Sequence, residues 1–485
     1  MNSSCGLTAC SAEIQGNAPL TDSLQEQNKK AMIENNEIQI ARECIGIALR
    51  KGADAARVSL NKCVSDSVAM LNGEIDKVSH SADRSLYIYI FAEGRYGTFS
   101  TNRLVPEELD GFIGNAVEMV KMLGTDECRK LPDPSRTAKD ALTGQELGLY
   151  DLSYESCNAD SRLAAAERLS IFCKTGPDDV YRLISEECEY TDSYDDTFLV
   201  DSQGFEGRHT ETTFSAFAEM TIEDGQGNKF SGFWWENSPM SKDLPIDEVG
   251  RIALERAVSQ IGPRGKRGGR YKMVVDRNTA SRLVSPLLTA LNASSVQQKM
   301  SFLEGKVGAK VFSDGMTLMD LARTPGMSGS RLYDTEGVAT KDAPIIENGV
   351  VKQYFVNTYM SNKMGIEPTV EDISRPCLMP YLKGKDLACG EKEVSLKDIL
   401  TLCGSGIYVT GFNGGNCNPV TGDFSYGVEG FAFSRGKITH PVKEMLITGN
   451  IIELWQSLLA AGTDARRSSR WQIPTVAFEG VSFSA

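Results

Sequence analysis

Ser85-Leu86-Tyr87-Ile88-Tyr89-Ile90-Phe91-Ala92, closed by Glu93-Gly94, is the stretch that decides the fold class. Its apolar run is short, rich in isoleucine and aromatic residues, and ends at a turn pair. It therefore reads as the central strand of a sheet. Outward from it, Arg95–Ser100 follows, and Ala55–Asn61, Asp66–Leu71 and Ile75–His80 precede, with Asn72-Gly73 as a second turn. Helical patterns flank this meander. Ile38, Ala41, Ile45, Ala48 and Leu49 share one face, and Gly52 caps them. Pro106 opens the second helix, Leu109, Phe112, Ile113, Ala116, Val117 and Val120 form its stripe, and Gly124 ends it. Helix, meander and helix make an α+β unit of about 100 residues.

Beyond it, Cys128–Tyr154 carries Pro132 and Pro134 and reads as a linker. Arg162–Lys174 reads as a helix, Tyr181–Ser193, Thr197–Asp201 and Glu211–Ile222 as strands, and Ile246–Gln260 as a helix. A glycine-rich basic connector, Gly262–Arg270, leads into a short strand at Tyr271–Asp276 and a helix at Thr279–Ser294. Glycine-punctuated β segments run from Ala309 to Phe433, a late helix follows near Ile451–Leu459, and a last strand lies near Thr475–Phe478. The expected architecture is α+β. It comprises a polar leader (1–31) whose composition fits disorder, an N-terminal α+β domain (32–127), a central α/β segment with linkers (128–270), and a glycine-rich, mostly β C-terminal domain (271–485).

Composition narrows the function. The chain has 485 residues, 51 Lys plus Arg against 65 Asp plus Glu, and a net charge of −14. That balance argues against general binding to nucleic acid. No window approaches the roughly 18 apolar residues of a membrane span. Only three histidines occur, His80, His209 and His440, and they are far apart in sequence, which argues against a histidine-rich metal centre. Twelve cysteines without a CxxC pair are too sparse for a disulfide scaffold and suit a reducing cytoplasm. Leu7-Thr8-Ala9-Cys10 matches a lipoprotein box locally but lacks the basic and apolar regions that should precede one.

Four segments invite a chemical reading. Gly262–Arg270 lacks the GxxxxGK(S/T) order and precedes a strand, so it reads as a connector. Gly326-Met327-Ser328-Gly329-Ser330 misses the nucleophile elbow at its fifth position. His440, at the end of a probable strand, reads as an ordinary hydrogen-bonding residue, with general base or lone metal ligand as the functional alternatives. The densest constellation is Gly411-Phe412-Asn413-Gly414-Gly415-Asn416-Cys417-Asn418-Pro419-Val420-Thr421-Gly422-Asp423-Phe424-Ser425-Tyr426-Gly427-Val428-Glu429-Gly430-Phe431. Six glycines in 21 residues exclude regular helix and allow another backbone to come close. Two readings stay open: a loop that holds a peptide or partner, and a β-barrel corner.

Thr421–Gly427, with the strand and His440-Pro441-Val442 after it, resembles the C-terminal signature of the TldD/PmbA family, long labelled modulator of DNA gyrase. Ser330-Arg331-Leu332-Tyr333-Asp334-Thr335-Glu336-Gly337-Val338 resembles the family's central S-R-x-x-D-x-E-G-V stretch. Glu347–Val351 with Tyr354, Ser301–Phe312 and Gly52–Ala55 resemble further pieces in the same order. The family has two kinds of subunit. The TldD kind carries an HExxxH helix and a later cysteine that bind the zinc of a metallopeptidase; the PmbA kind, also called TldE, lacks them. In this sequence the corresponding helix is Arg282–Leu291, and Ser285, Pro286 and Ala290 stand at the histidine, glutamate and histidine positions. The late ligand, near Ser469, is absent as well.

The resemblance therefore implies a PmbA-type member with no catalytic residues and no metal of its own. Zinc is expected in a TldD-type partner. The implied partners are that homologous subunit or a second copy, in a hollow cytoplasmic dimer that degrades or trims unfolded peptides, with no nucleic acid and no membrane. Asn413, Gly414, Gly415, Asn416, Thr421, Gly422, Asp423 and Tyr426 form the expected peptide or partner loop. Two alternatives remain: an independent hydrolase using Ser328 or Ser425 with His440, or a site sharing Asp423, and a homodimeric peptide-binding protein without chemistry.

Overall fold

The structure, a computed structural model, describes residues 32–174, 180–384 and 393–484. The leader expected over 1–31 lies outside the described residues.

In the N-terminal half, α1 (Asn35–Arg50) precedes β1 (Ala55–Leu71), β2 (Glu74–Ala92) and β3 (Arg95–Thr101), and α2 (Pro106–Lys121) follows. Then come α3 (Ala159–Leu169), β4 (Tyr181–Asp201), β5 (Glu206–Asp224), β6 (Lys229–Ser238) and α4 (Ile246–Ser259). The strands form one antiparallel sheet in the order β3-β2-β1-β4-β5-β6. Leu86, Ile88 and Ile90 are fully buried in β2, as the apolar run requires, although β1 and β4 hold the centre of the sheet. α1 buries Ala41, Cys44, Ile45, Ile47 and Ala48, and leaves Leu49 exposed. Gly52 follows α1 with φ +99°, the left-handed exit that glycine tolerates.

The expected short strands are in fact long ones. β1 and β2 run unbroken through residues that sequence alone reads as breaks, and β4 runs unbroken from Tyr181 to Asp201. The polar residues inside them alternate between a packed and an open face. On the packed face of β4 lie Tyr190, Asp192, Tyr194, Asp196 and Phe198. Asp192 is fully buried and receives two bonds from Arg162, at 2.8 and 2.7 Å. Asp196 is held by Arg208 in the same way. Buried charges persist because each is paired.

The C-terminal half contains β7 (Gly269–Val275), α5 (Ser281–Leu291), α6 (Ala293–Gln297), β8 (Leu318–Asp320), β9 (Ala343–Glu347), β10 (Val350–Val351), α7 (Thr358–Met364), β11 (Pro376–Leu378) and β12 (Tyr381–Leu382). It continues with α8 (Leu396–Cys403), β13 (Gly406–Cys417), β14 (Asp423–Ser434), β15 (Lys437–Asn450), α9 (Ile451–Gln456), β16 (Leu458–Ala461) and β17 (Val476–Ser484). A seven-stranded sheet runs β12-β16-β17-β15-β14-β13-β7, and β7 also pairs with β17. That last pairing closes five strands into a barrel. The connector before β7 is stitched to β15 by Arg264 N–H to Pro441 O, 3.0 Å, and Lys443 N–H to Arg264 O, 3.1 Å. The α+β class read from the sequence is the class of the structure, with a barrel in the C-terminal half.

α5 decides where the site lies. Leu283, Val284, Leu287, Leu288 and Leu291 are buried against Met273, Val275, Ile407, Val409 and Trp455. Burying each leucine contributes about 1.5–3 kcal/mol. The Trp455 indole donates to Leu283 O at 3.1 Å and fixes the helix along the barrel. Its other face is left to solvent.

Candidate functional site: a cleft between one helix and the glycine-rich strand

The open face of α5 carries Arg282, Ser285, Pro286 and Thr289, spaced by three and four as one side of a helix requires, and Ala290, itself buried, borders it. With Phe302, Gly415, Asn416, Cys417, Pro419 and Tyr426 these residues line a cleft of about 230 Å³. The helix positions and the glycine-rich loop, singled out separately in the sequence, thus meet at one place.

The loop side is built by backbone irregularity. β13 departs from regular pairing with β14 between Val409 and Gly411 and again between Asn413 and Asn416. Gly415 has φ +80°, and a Cβ there would collide with the Ser425 carbonyl. Only glycine fits. Arg282 clasps this bend: one guanidinium nitrogen donates to Gly415 O at 3.1 Å, and the group sits 5.3 Å from the Tyr426 ring centre. Tyr426 is buried and stacks on Phe424 at 5.4 Å. Burial pushes the Cys417 thiol up, and Asp423 adds to the rise, so Cys417 is poorly suited to act as a thiolate.

The other loop residues go elsewhere. Asn413 lines a second hollow of about 500 Å³, between α4 and the barrel, and its amide reaches Glu429 at 3.4 Å. Gly414 turns the strand with φ +68°. Thr421, Gly422 and Asp423 form a turn at the start of β14. Asn450 donates to Thr421 O and to the Asp423 carboxylate, at 2.8 and 3.0 Å, and Thr421 donates to that carboxylate at 2.7 Å. These bonds, Asn450 first, hold the Asp423 carboxyl below the usual range.

Ser425 and His440 do not assemble into a hydrolase pair. Ser425 pairs with Thr448 of β15, whereas His440 pairs with Ala432, seven residues farther along β14. At about 3.3 Å per residue the two lie roughly 20 Å apart. The His440 ring contacts Thr439 Oγ1 at 3.2 Å. His80 pairs with Asp66 at 2.8 Å, and His209 with Glu211 at 3.6 Å.

Zinc does not fit the α5 cleft. Catalytic zinc takes about three His, Cys or carboxylate ligands, and the helix offers a hydroxyl, a proline ring and a methyl group. Among the described residues no group of three His, Cys, Asp or Glu residues could hold a metal ion. No helix of the described residues is long and apolar enough to cross a membrane.

The S-R-x-x-D-x-E-G-V stretch lies outside the cleft lining and organises loops. Asp334, 2% exposed, accepts from the Glu336, Val338 and Glu371 N–H groups. Glu336 accepts from the N–H and hydroxyl of Thr358, both at 2.8 Å. Burial raises both carboxyls.

Sequence reasoning missed Arg282, Thr289, Phe302, Cys417 and Pro419 in the cleft. The signal for the first two was present, since they share the helical spacing of Ser285 and Pro286.

Comparison with known proteins follows the same lines. Residues 56–120 match domain 1, 153–261 the central domain, and 268–485 the C-terminal domain of the PmbA/TldA metallopeptidases. A protein of Escherichia coli named metalloprotease PmbA is 24% identical over 90% of this chain and 94% of its own. A solved structure from Bacteroides thetaiotaomicron, described as a modulator of DNA gyrase, is 39% identical, with a TM-score of 0.87 over 94% of this chain and 100% of its own. TldE of Thermococcus kodakarensis shares the fold at 18% identity, with a TM-score of 0.76 over 92% of this chain and 100% of that one. By these matches, which run nearly its whole length, the chain belongs to the TldD/PmbA family.

Proposed function

We propose that this chain is the PmbA/TldE-type, metal-free subunit of a TldD-type zinc metallopeptidase system that degrades or trims unfolded peptides. The observation that carries the reading is the open face of α5. It presents Ser285, Pro286 and Ala290 to a cleft, where the zinc-bearing kind of subunit is expected to carry its ligands. No chemical step is derived through zinc in this subunit.

What this subunit supplies is a surface for an extended peptide. Residues 411–417 of β13 pair with β14 on one side, while β7 pairs only with 406–409. Beside the cleft, therefore, the outer edge of β13 has no strand partner among the described residues. A peptide laid there as an added strand would gain main-chain hydrogen bonds and set alternate side chains against α5. The zinc in this reading belongs to a TldD-type homologous subunit that pairs with this one in the cytoplasm. The nine described cysteines, all free, suit that compartment.

Co-expression with a zinc-bearing homologue tests the proposal. The two proteins are expected to co-elute, with zinc near one per pair and peptide cleavage by the pair alone. This protein purified by itself is expected to carry well under one zinc. Stoichiometric zinc in the isolated protein, or no association on co-expression, overturns it.

A further inference from the structure

We infer that the α5 cleft is a carboxylate-binding subsite, with Arg282 as the group that selects for it. The inference rests on the reading that this cleft holds peptide.

The protein is acidic overall, at −14, yet none of the residues that line the cleft is acidic. Arg282 is their only charged side chain. It makes no ion pair among the described residues; its partners are a carbonyl, Gly415 O, and a ring face, Tyr426. Both partners orient the guanidinium and neither neutralises it. A guanidinium has five N–H donors in a planar fork, so one bond to Gly415 leaves donors for a ligand. A carboxylate accepts two of them side by side.

The rest of the wall suits the same ligand. Phe302, Pro286, Ala290 and Pro419 are apolar and suited to packing an aliphatic segment, while Ser285, Thr289 and Asn416 can bond a peptide group. The volume, about 230 Å³, is enough for one or two residues of a peptide and not for a folded partner. A cation one turn before Ser285 on an acid-free helix face thus favours a peptide that brings a carboxylate. The source is a peptide's free C-terminus or the carboxylate of an Asp or Glu within it.

The test is fluorescence anisotropy on the full-length protein with three unfolded peptides, labelled at the N-terminus and otherwise uncharged. The first ends in a free carboxylate, the second in an amide, and the third in an amide with one internal Glu. The first is expected to bind about tenfold more tightly than the second, as a charge-assisted pair allows. The advantage should vanish in Arg282→Gln, survive in part in Arg282→Lys, and shrink with added salt. Tight binding of the third peptide assigns the site to an internal Asp or Glu carboxylate; weak binding assigns it to the C-terminus. Equal affinity for all three, or an advantage that Arg282→Gln leaves intact, overturns the inference while peptide holding stands. Absence of binding by any peptide overturns both.

Discussion

Glu37 is 5% exposed and keeps its charge because donors converge on it. Lys62 lies 2.7 Å from one carboxylate oxygen and Arg84 3.0 Å from the other, and the Glu34 N–H closes a capping box at 2.8 Å. Burial pushes the carboxyl up, but the Glu34 backbone, Lys62 and Arg84 together bring it below its ordinary 4.5. The sign of the linkage follows. A lowered folded value gives stability that is present above the ordinary value and lost as pH falls through the folded one. Glu37→Gln should therefore cost about 1–3 kcal/mol at pH 7. Urea midpoints followed by circular dichroism should show the two proteins converging as pH falls from about 5 towards 3; parallel curves would contradict this role. The same scale shows what sequence can convey about a site. Ser285, Pro286 and Ala290 could be placed because a helix has a fixed period. That Gly415 and Tyr426 face them could not, because it depends on strand irregularities set by the barrel. Arg282 was passed over because an arginine on an exposed helix face ordinarily reads as solvated.

At the scale of elements, β6 and α4 approach backbone to backbone at Gly232, while Trp234 packs with Val249 and Ala253 beside it. A Cβ on Gly232 would run into the α4 backbone at Ala253 O and Ala257 N. Gly232→Ala should lower stability by roughly 1–3 kcal/mol, the range for overpacking. Gly225→Ala, in the β5–β6 turn where nothing lies within 4 Å, should change little. Denaturant melts of the two variants decide it; equal midpoints would mean that α4 moves freely off the sheet. This contact also marks the limit of the sequence reading. β6 is Lys-Phe-Ser-Gly-Phe-Trp-Trp-Glu-Asn-Ser, and its glycine and exposed aromatics hide the alternation that identifies a strand. α1, α2, α4 and α5 were legible because each buries one continuous stripe. The long strands were read as pieces because short polar runs, at 62–65, 81–84 and 194–196, interrupt the hydrophobic pattern where the strands in fact continue. The arginines that satisfy Asp192 and Asp196 come from Arg162 in α3 and Arg208 in β5, too remote for local pattern to anticipate.

At the scale of the whole molecule, charge bears on the gyrase wording attached to the relative from Bacteroides thetaiotaomicron. A surface that binds duplex DNA releases counterions and must be basic over several phosphates. This protein is at −14, and its densest run of cations is the connector, with Arg264, Lys266, Arg267 and Arg270. The structure engages part of that run internally. Arg264 is bridged to β15 through its backbone, and the Lys266 ammonium lies 4.9 Å from the Tyr271 ring centre. Four cations along one connector and the first residues of β7 cannot offset a repulsive field over the remaining surface. Duplex DNA should therefore show no retardation by micromolar protein at about 50 mM salt, a condition that favours phosphate contacts. Retardation that disappears when the four connector cations are replaced by Gln would overturn this and make the connector a nucleic-acid contact. The same acidity has a second consequence for the cleft. A repulsive field around most of the molecule and one unneutralised guanidinium at the α5 cleft leave a carboxylate-bearing peptide few competing places to settle, so its selection at Arg282 should sharpen as salt is lowered.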